Sequence, residues 1–167
     1  MQDQIEIKQL NINDWQRFKK IRLEALREEP DAYSTRFDDV KDSDDSYWKE
    51  KFTDTNNTIL VAESTNNVIA MLRITLNDPD VDKDCVYLVG LYVSKNFRRL
   101  GIATKLIDHA CKMLSDNPNI NKVALSVRET QKDALGLYNK LGFTKIRSIE
   151  EKVDDNVVRE YLVQKIL

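Results

Sequence analysis

The chain has 167 residues, 41% hydrophobic and 32% charged, the make-up of an ordinary globular sequence long enough to bury a real core. A formal net charge of −2 argues against a general nucleic-acid binder, which carries a basic surface. Met1 to Leu10 lacks the apolar stretch of a signal peptide, no apolar run approaches a membrane span, and the two cysteines, Cys85 and Cys111, form neither a disulfide framework nor a metal spacing, so a cytoplasmic protein is expected, with no metal, membrane or nucleic-acid partner.

Ile5 to Leu10 alternates as a short strand. Asn11 to Asp14 then offers caps for a helix carrying Trp15, Phe18, Arg22, Ala25 and Leu26 on one stripe, which stops before Pro30. Residues 38–46 are rich in aspartate and lead into a short helix through Trp48 and Phe52. Acids ahead of a helix read as a solvated cap region favoured by the helix dipole; the competing reading is an acidic rim that draws a cationic acceptor. Thr58 to Glu63 and Val68 to Leu76 follow as strands around a hairpin turn at Ser64–Asn67, with Asn66 and Asn67 suited to positive φ.

A polar loop from Asn77 to Asp84 leads to Cys85–Val93, whose β-branched and aromatic content is that of a buried strand. Ile102, Leu106, Ala110 and Leu114 recur at i+4 with Ala103, Ile107 and Cys111 beside them, the stripe of a helix lying on a sheet. Between strand and helix is a basic loop ending in Gly101. Such a loop presents free N–H groups and the positive end of a helix dipole, where phosphate oxygens bind well. Arg98 and Arg99 add charge and Thr104 a hydroxyl, although neither common Gly-rich phosphate signature is present. Asp116 to Asn119 ends the helix, Lys122 to Val127 is another strand, and Gln131 to Leu141 is an amphipathic helix closed by Gly142. Thr144 to Val153 and Val157 to Ile166 make a final hairpin turning at Asp154–Asp155–Asn156, so residues 1–167 read as one α/β domain with a mixed sheet.

Two blocks give this pattern a family resemblance. Arg98, Gly101 and Ala103 match the Arg/Gln-x-x-Gly-x-Gly/Ala signature of the GNAT N-acetyltransferases. Gln131, Ala134, Leu137, Tyr138, Gly142 and Phe143 match their second block, with glutamine where asparagine is usual. The resemblance is close over roughly residues 85–146 and implies a twisted mixed sheet of about seven strands, helices on both faces, and a splay between the fourth and fifth strands. It implies acetyl-CoA as co-substrate and a small-molecule amine as acceptor, and it allows a homodimer. The pantetheine arm is expected along Leu91, Tyr92 and Val93, near Gln131 and Ala134, and the pyrophosphate at the N–H groups of Arg99, Leu100, Gly101, Ile102, Ala103 and Thr104 with Arg98 alongside.

The same resemblance makes Tyr138 the candidate general acid, since a phenol is protonated at neutral pH and can reprotonate a departing thiolate. The general base has no assignment. Many relatives carry a glutamate near the position of Val89, and the strand here has no acid; Glu129 acting through water is one option. His109 falls between the helix stripes and is expected to face solvent, while Ser126 and Arg128 are expected to flank the cleft. A peptide N-acetyltransferase and a non-catalytic acyl-CoA sensor remain as alternatives.

Overall fold

Along β2 (Asn57–Ser64) the side chains alternate between two cores, as period-two geometry requires. Leu60 and Ala62 join Leu72, Val86, Leu88, Val123 and Leu125 beneath α4 (Ile102–Ser115) and α5 (Lys132–Lys140). Ile59 and Val61 join Met71 and Tyr92 beneath α1 (Trp15–Glu28), α2 (Phe37–Val40) and α3 (Asp45–Glu50). Helices therefore cover both faces of the sheet, as the sequence implied. The computed structural model describes residues 4–167.

The remaining strands are β1 (Glu6–Gln9), β3 (Asn67–Thr75), β4 (Cys85–Val93), β5 (Lys122–Arg128), β6 (Thr144–Val153) and β7 (Asn156–Ile166). They form one seven-stranded sheet in the order β1-β2-β3-β4-β5-β7-β6. All neighbours are antiparallel except β4 and β5. That parallel pair joins only Cys85, Val86 and Tyr87 to Lys122, Val123 and Ala124. Beyond Tyr87 the two strands part.

A bulge sits where they part. The β3–β4 register runs from Met71 opposite Tyr92 to Arg73 opposite Val89, so two steps on β3 span three on β4. The extra residue lies at Gly90–Leu91, and Gly90 takes φ +70°, a left-handed conformation that costs any residue with a Cβ. A bulge bends its strand and raises local twist, which turns β4 away from β5.

Some local expectations need correction. The β2–β3 turn is built on Thr65 and Asn66, at φ 49° and 65°, and not on Asn66–Asn67. Asn67 already pairs with Ser64 in the ladder, and a two-residue hairpin loop needs positive φ at its two central positions. The helix of Trp48 ends at Glu50, leaving Phe52 in the turn beyond, where its ring meets Phe18 edge-on at 5.7 Å. Within the acidic stretch, Asp44 accepts a 3.0 Å hydrogen bond from the Tyr47 N–H and caps α3. Cys85 is a buried free thiol and Cys111 a half-buried one.

Gly90 provides a direct test of the bulge. A Cβ built there meets Arg22 Nη1 at 3.5 Å, an ordinary contact, so the penalty for Gly90→Ala is backbone strain alone. Urea unfolding should show a loss of about 1–2 kcal/mol with an unchanged m-value. Unchanged stability would mean that the bulge is relaxed without glycine.

Candidate functional site

The splay opens a cleft of about 1290 Å³ between β4 and β5. One wall is the unpaired edge of β4. The carbonyl of Leu91 accepts a 3.0 Å hydrogen bond from the Tyr33 hydroxyl, and that of Val93 accepts one of 3.0 Å from Arg98 Nε. These two side chains satisfy backbone groups that a neighbouring strand would otherwise hold.

The second wall is the basic loop and the start of α4. Arg99 at φ 62° and Gly101 at φ 76° are both left-handed, the kind of backbone that gathers successive N–H groups into an anion-binding concavity. No side chain caps α4, and its first internal bond runs from Lys105 N–H to Gly101 O at 3.0 Å. The N–H groups of Ile102, Ala103 and Thr104 therefore lie in the turn that an α-helix leaves unpaired. A Cβ at Gly101 would meet nothing within 4 Å, so that space belongs to the cleft.

Helix α1 fastens this wall from behind. Glu24 accepts hydrogen bonds from the Tyr92 hydroxyl (3.0 Å) and the Ser94 hydroxyl (2.6 Å). Glu28 pairs with Lys95 at 2.8 Å. Glu29 lies 2.8 Å from Arg98 Nη2 but out of line with its N–H bonds, an ion pair and not a hydrogen bond. The Arg98 guanidinium also lies over the Tyr92 ring, 5.7 Å from its centroid. Arg98 is thus a brace joining β4 to the end of α1.

Tyr138 stands on the α5 wall, 8% exposed, with its ring edge-on to Phe143 at 5.8 Å. Its hydroxyl has no hydrogen-bond partner among the described residues. Burial pushes its phenol well above the usual tyrosine range, and the charge of Glu29 acts in the same direction. Burial also raises Tyr33, with Glu29 again contributing, and raises Tyr92 to about 12 with help from the Glu24 hydrogen bond. Three phenols around this cleft therefore stay neutral through the physiological range.

At the far end, Tyr87 donates to Ser126 Oγ at 2.5 Å across the point where the strands separate. Arg22, Tyr33, Ser34, Glu151 and Glu160 also line the cleft, as do Lys132, Asp133 and Lys140 of α5. An exposed ion pair of 3.3 Å joins Arg36, ahead of α2, to Asp154 at the tip of the β6–β7 hairpin.

Of the residues singled out in the sequence, Leu91, Tyr92, Val93, Arg98, Arg99, Gly101, Ile102, Ala103, Thr104, Gln131, Ala134 and Tyr138 all line this one cleft. Leu100 does not; its side chain is 57% exposed, which leaves only its backbone N–H for any role there. Ser126 lines the cleft, whereas Arg128 turns to Glu160, with Nε 3.5 Å from its carboxylate. Glu129 is taken by the Tyr161 hydroxyl at 2.8 Å and by Arg159 at 3.5 Å, away from the lining. His109 is exposed on α4, and none of the aspartates of residues 38–46 reaches the cleft, so that stretch is a cap region. Tyr33, Glu29, Glu151, Glu160 and Arg22 escaped the sequence reading. Only Arg22 left a signal, as a charge on an otherwise apolar helix stripe.

A seven-stranded sheet splayed at its one parallel pair, with an uncapped helix start on one wall and a buried tyrosine on the other, defines an acyltransferase-type fold. The family model described as the acetyltransferase (GNAT) family matches residues 18–143. The chain belongs to that family. An N-alpha-acetyltransferase of Sulfurisphaera tokodaii is 33% identical over 69 residues, 41% of each chain, so this chain matches about two-fifths of that relative's length. An acetyltransferase of the GNAT family from Streptococcus pneumoniae superimposes with a TM-score of 0.80 at 18% identity, covering 98% of this chain and 100% of the other. NAA60 of Arabidopsis thaliana, solved in complex with acetyl-CoA, gives 0.73 at 18% identity over 98% and 99% of the two chains. Among the described residues no helix is long and apolar enough to cross a membrane, and no cluster of three metal-ligating side chains occurs.

The buried phenol has a consequence for stability. Below pH ~10 the Tyr138 hydroxyl is protonated in both folded and unfolded chains; above it the unfolded chain ionises while the folded one keeps its proton. Folding stability must therefore fall as pH rises through that window. Urea unfolding at pH 9 and pH 11 should show Tyr138→Phe losing about 1 kcal/mol less than wild type between the two. Equal losses would mean that this phenol titrates normally.

Proposed function

We propose that this protein transfers the acetyl group of acetyl-CoA to the amine of a small molecule. The observation that carries the reading is the parting of β4 from β5 between the uncapped start of α4 and Tyr138. A pantetheine arm is itself strand-like and suits the open edge at Leu91–Val93, beside Gln131 and Ala134. A pyrophosphate suits the N–H groups from Arg99 to Thr104. In this reading Arg98 acts through its grip on Val93 and Glu29 as much as through its charge.

In the reaction, the neutral amine attacks the thioester carbon. The C–N bond forms and the C–S bond breaks, with its electron pair going to sulfur. The nitrogen gives its proton to water in the cleft, the thiolate takes the proton of Tyr138, and water returns a proton to the Tyr138 phenolate. A phenol raised by burial is a weaker acid than a free one. The thiolate is born in the same desolvated site, which raises its basicity too and narrows the mismatch.

A small acceptor is favoured by the Arg36–Asp154 pair, which joins the segment after Ser34 to the hairpin after Glu151, both of which line the cleft. Being exposed, that pair is worth less than about 1 kcal/mol and opens readily. The match to an N-alpha-acetyltransferase favours a peptide amine instead, over about two-fifths of that relative. Coenzyme A release measured against amines, amino acids and short peptides separates the two.

Two variants test the site itself. Gly101→Glu puts a carboxylate where the pyrophosphate would lie, and calorimetry should show acetyl-CoA affinity falling at least about tenfold; unchanged affinity would remove the phosphate assignment. Tyr138→Phe keeps the ring against Phe143, and single-turnover acetyl transfer should slow about a hundredfold with acetyl-CoA affinity held. Equal single-turnover rates would return the acid role to water.

A further inference from the structure

Arg22 is a cation on the buried stripe of α1, beside Phe18, Ile21 and Ala25, and it lines the cleft. Its guanidinium lies over the Tyr33 ring, 4.7 Å from the centroid, and Nη1 comes to 3.5 Å of where a Cβ on Gly90 would be. It therefore sits at the bulge, where β4 opens. Among the described residues it forms no ion pair and donates no hydrogen bond. Arg98 and Arg128 nearby each have a carboxylate, Glu29 and Glu160.

The surroundings increase the imbalance. Arg73, opposite Val89 in the ladder, is a second half-buried cation close enough for its charge to act on Arg22, and its Nε is buried without a partner. Burial lowers the pKa of both guanidiniums, and arginine nonetheless keeps its proton. Arg22 is half-buried, and its charge, unpaired within the protein, is available to a ligand in the cleft. An arginine that served only to brace the bulge would donate to the bulge carbonyls, and Arg22 makes no such bond.

We infer that Arg22 anchors a carboxylate on the acceptor, which is therefore an amino acid or a comparable amine whose carboxylate lies a few bonds from its nitrogen. The inference rests on the acetyl-transfer reading above. A guanidinium fork holds a carboxylate through two parallel hydrogen bonds, fixing orientation as well as position. With the carboxylate at Gly90, the amine lies within a few bonds of the open edge at Leu91, where the thioester is read to lie. Glu151 on the hairpin side lines the same cleft and favours the approach of a protonated amine. A neutral peptide offers only an amide carbonyl next to its terminal amine and would leave Arg22 unpaired.

The test compares acids with their own carboxamides. Wild-type protein and acetyl-CoA are given the L-amino acids, β-alanine and γ-aminobutyrate, the carboxamide of each, and a trialanine amide. The kcat/KM values are corrected to the neutral-amine fraction. At least one acid should exceed its carboxamide by about 10- to 100-fold, the range for a charge-assisted pair. In Arg22→Met that ratio should fall to near one, and Arg22→Lys should keep part of it. The ratio is internal to each protein, so a loss of stability does not mimic the result, and the wild-type ratio stands if Arg22→Met does not fold. Carboxamides or the tripeptide amide used as well as the acids, or a ratio unchanged in Arg22→Met, would overturn the inference while acetyl transfer stands. No coenzyme A release with these amines but release with a primary amine that has no carboxylate, such as a polyamine, would overturn the inference alone; no release with any amine would overturn both.

Discussion

Between Leu88 and Val93, β4 has β3 on one edge and no strand on the other, because β5 follows it only as far as Tyr87. Backbone N–H and C=O groups on a half-buried edge must find partners, and here side chains supply some of them: Tyr33 holds the Leu91 carbonyl and Arg98 the Val93 carbonyl. The cleft exists because the ladder stops. A continuous β4–β5 pairing would satisfy the backbone more simply and would leave nowhere for a ligand to lie.

Keeping that edge open requires support from elsewhere, and α1 provides it. Glu24 and Glu28 lie along its last turns and Glu29 just past its end, and they engage Tyr92 and Ser94, Lys95, and Arg98 in turn. The end of β4 and the loop before α4 are thus tied to one helix by several polar contacts. The exposed pairs contribute little singly, whereas the Glu24 hydrogen bonds to Tyr92 and Ser94 are partly buried and weigh more. The arrangement fixes where the start of α4 points, which matters because the groups proposed to meet the pyrophosphate are backbone N–H groups that no rotamer change can re-aim.

Much of this was legible in the sequence. Strands with period-two alternation, the helix stripe of Ile102 to Leu114 and the glycine at position 101 are local signals, and the structure follows them to within a residue or two at most ends. The strand, the left-handed glycine and the helix start of the loop before α4 were legible for the same reason. What escaped depends on contacts across the chain. Tyr33 reaches Leu91 over 58 residues of sequence, and Glu29, just past the end of α1, meets Arg98 in the loop before α4. The Thr65–Asn66 turn was displaced by one residue because β3 begins pairing at Asn67, a register that only the sheet determines. Arg22 stood in the sequence only as one residue of a helix stripe, and its meaning needed the bulge at Gly90 against which it packs.

The central claim is that the open β4 edge and the start of α4 form one binding surface for acetyl-CoA. Amide hydrogen exchange followed by mass spectrometry, with and without acetyl-CoA, reads that surface directly. Peptides spanning residues 88–104 should gain the largest protection on binding, while those of β1 and the outer strand β6 stay unchanged. Protection that bypasses residues 88–104, or none at saturating acetyl-CoA, would contradict the account.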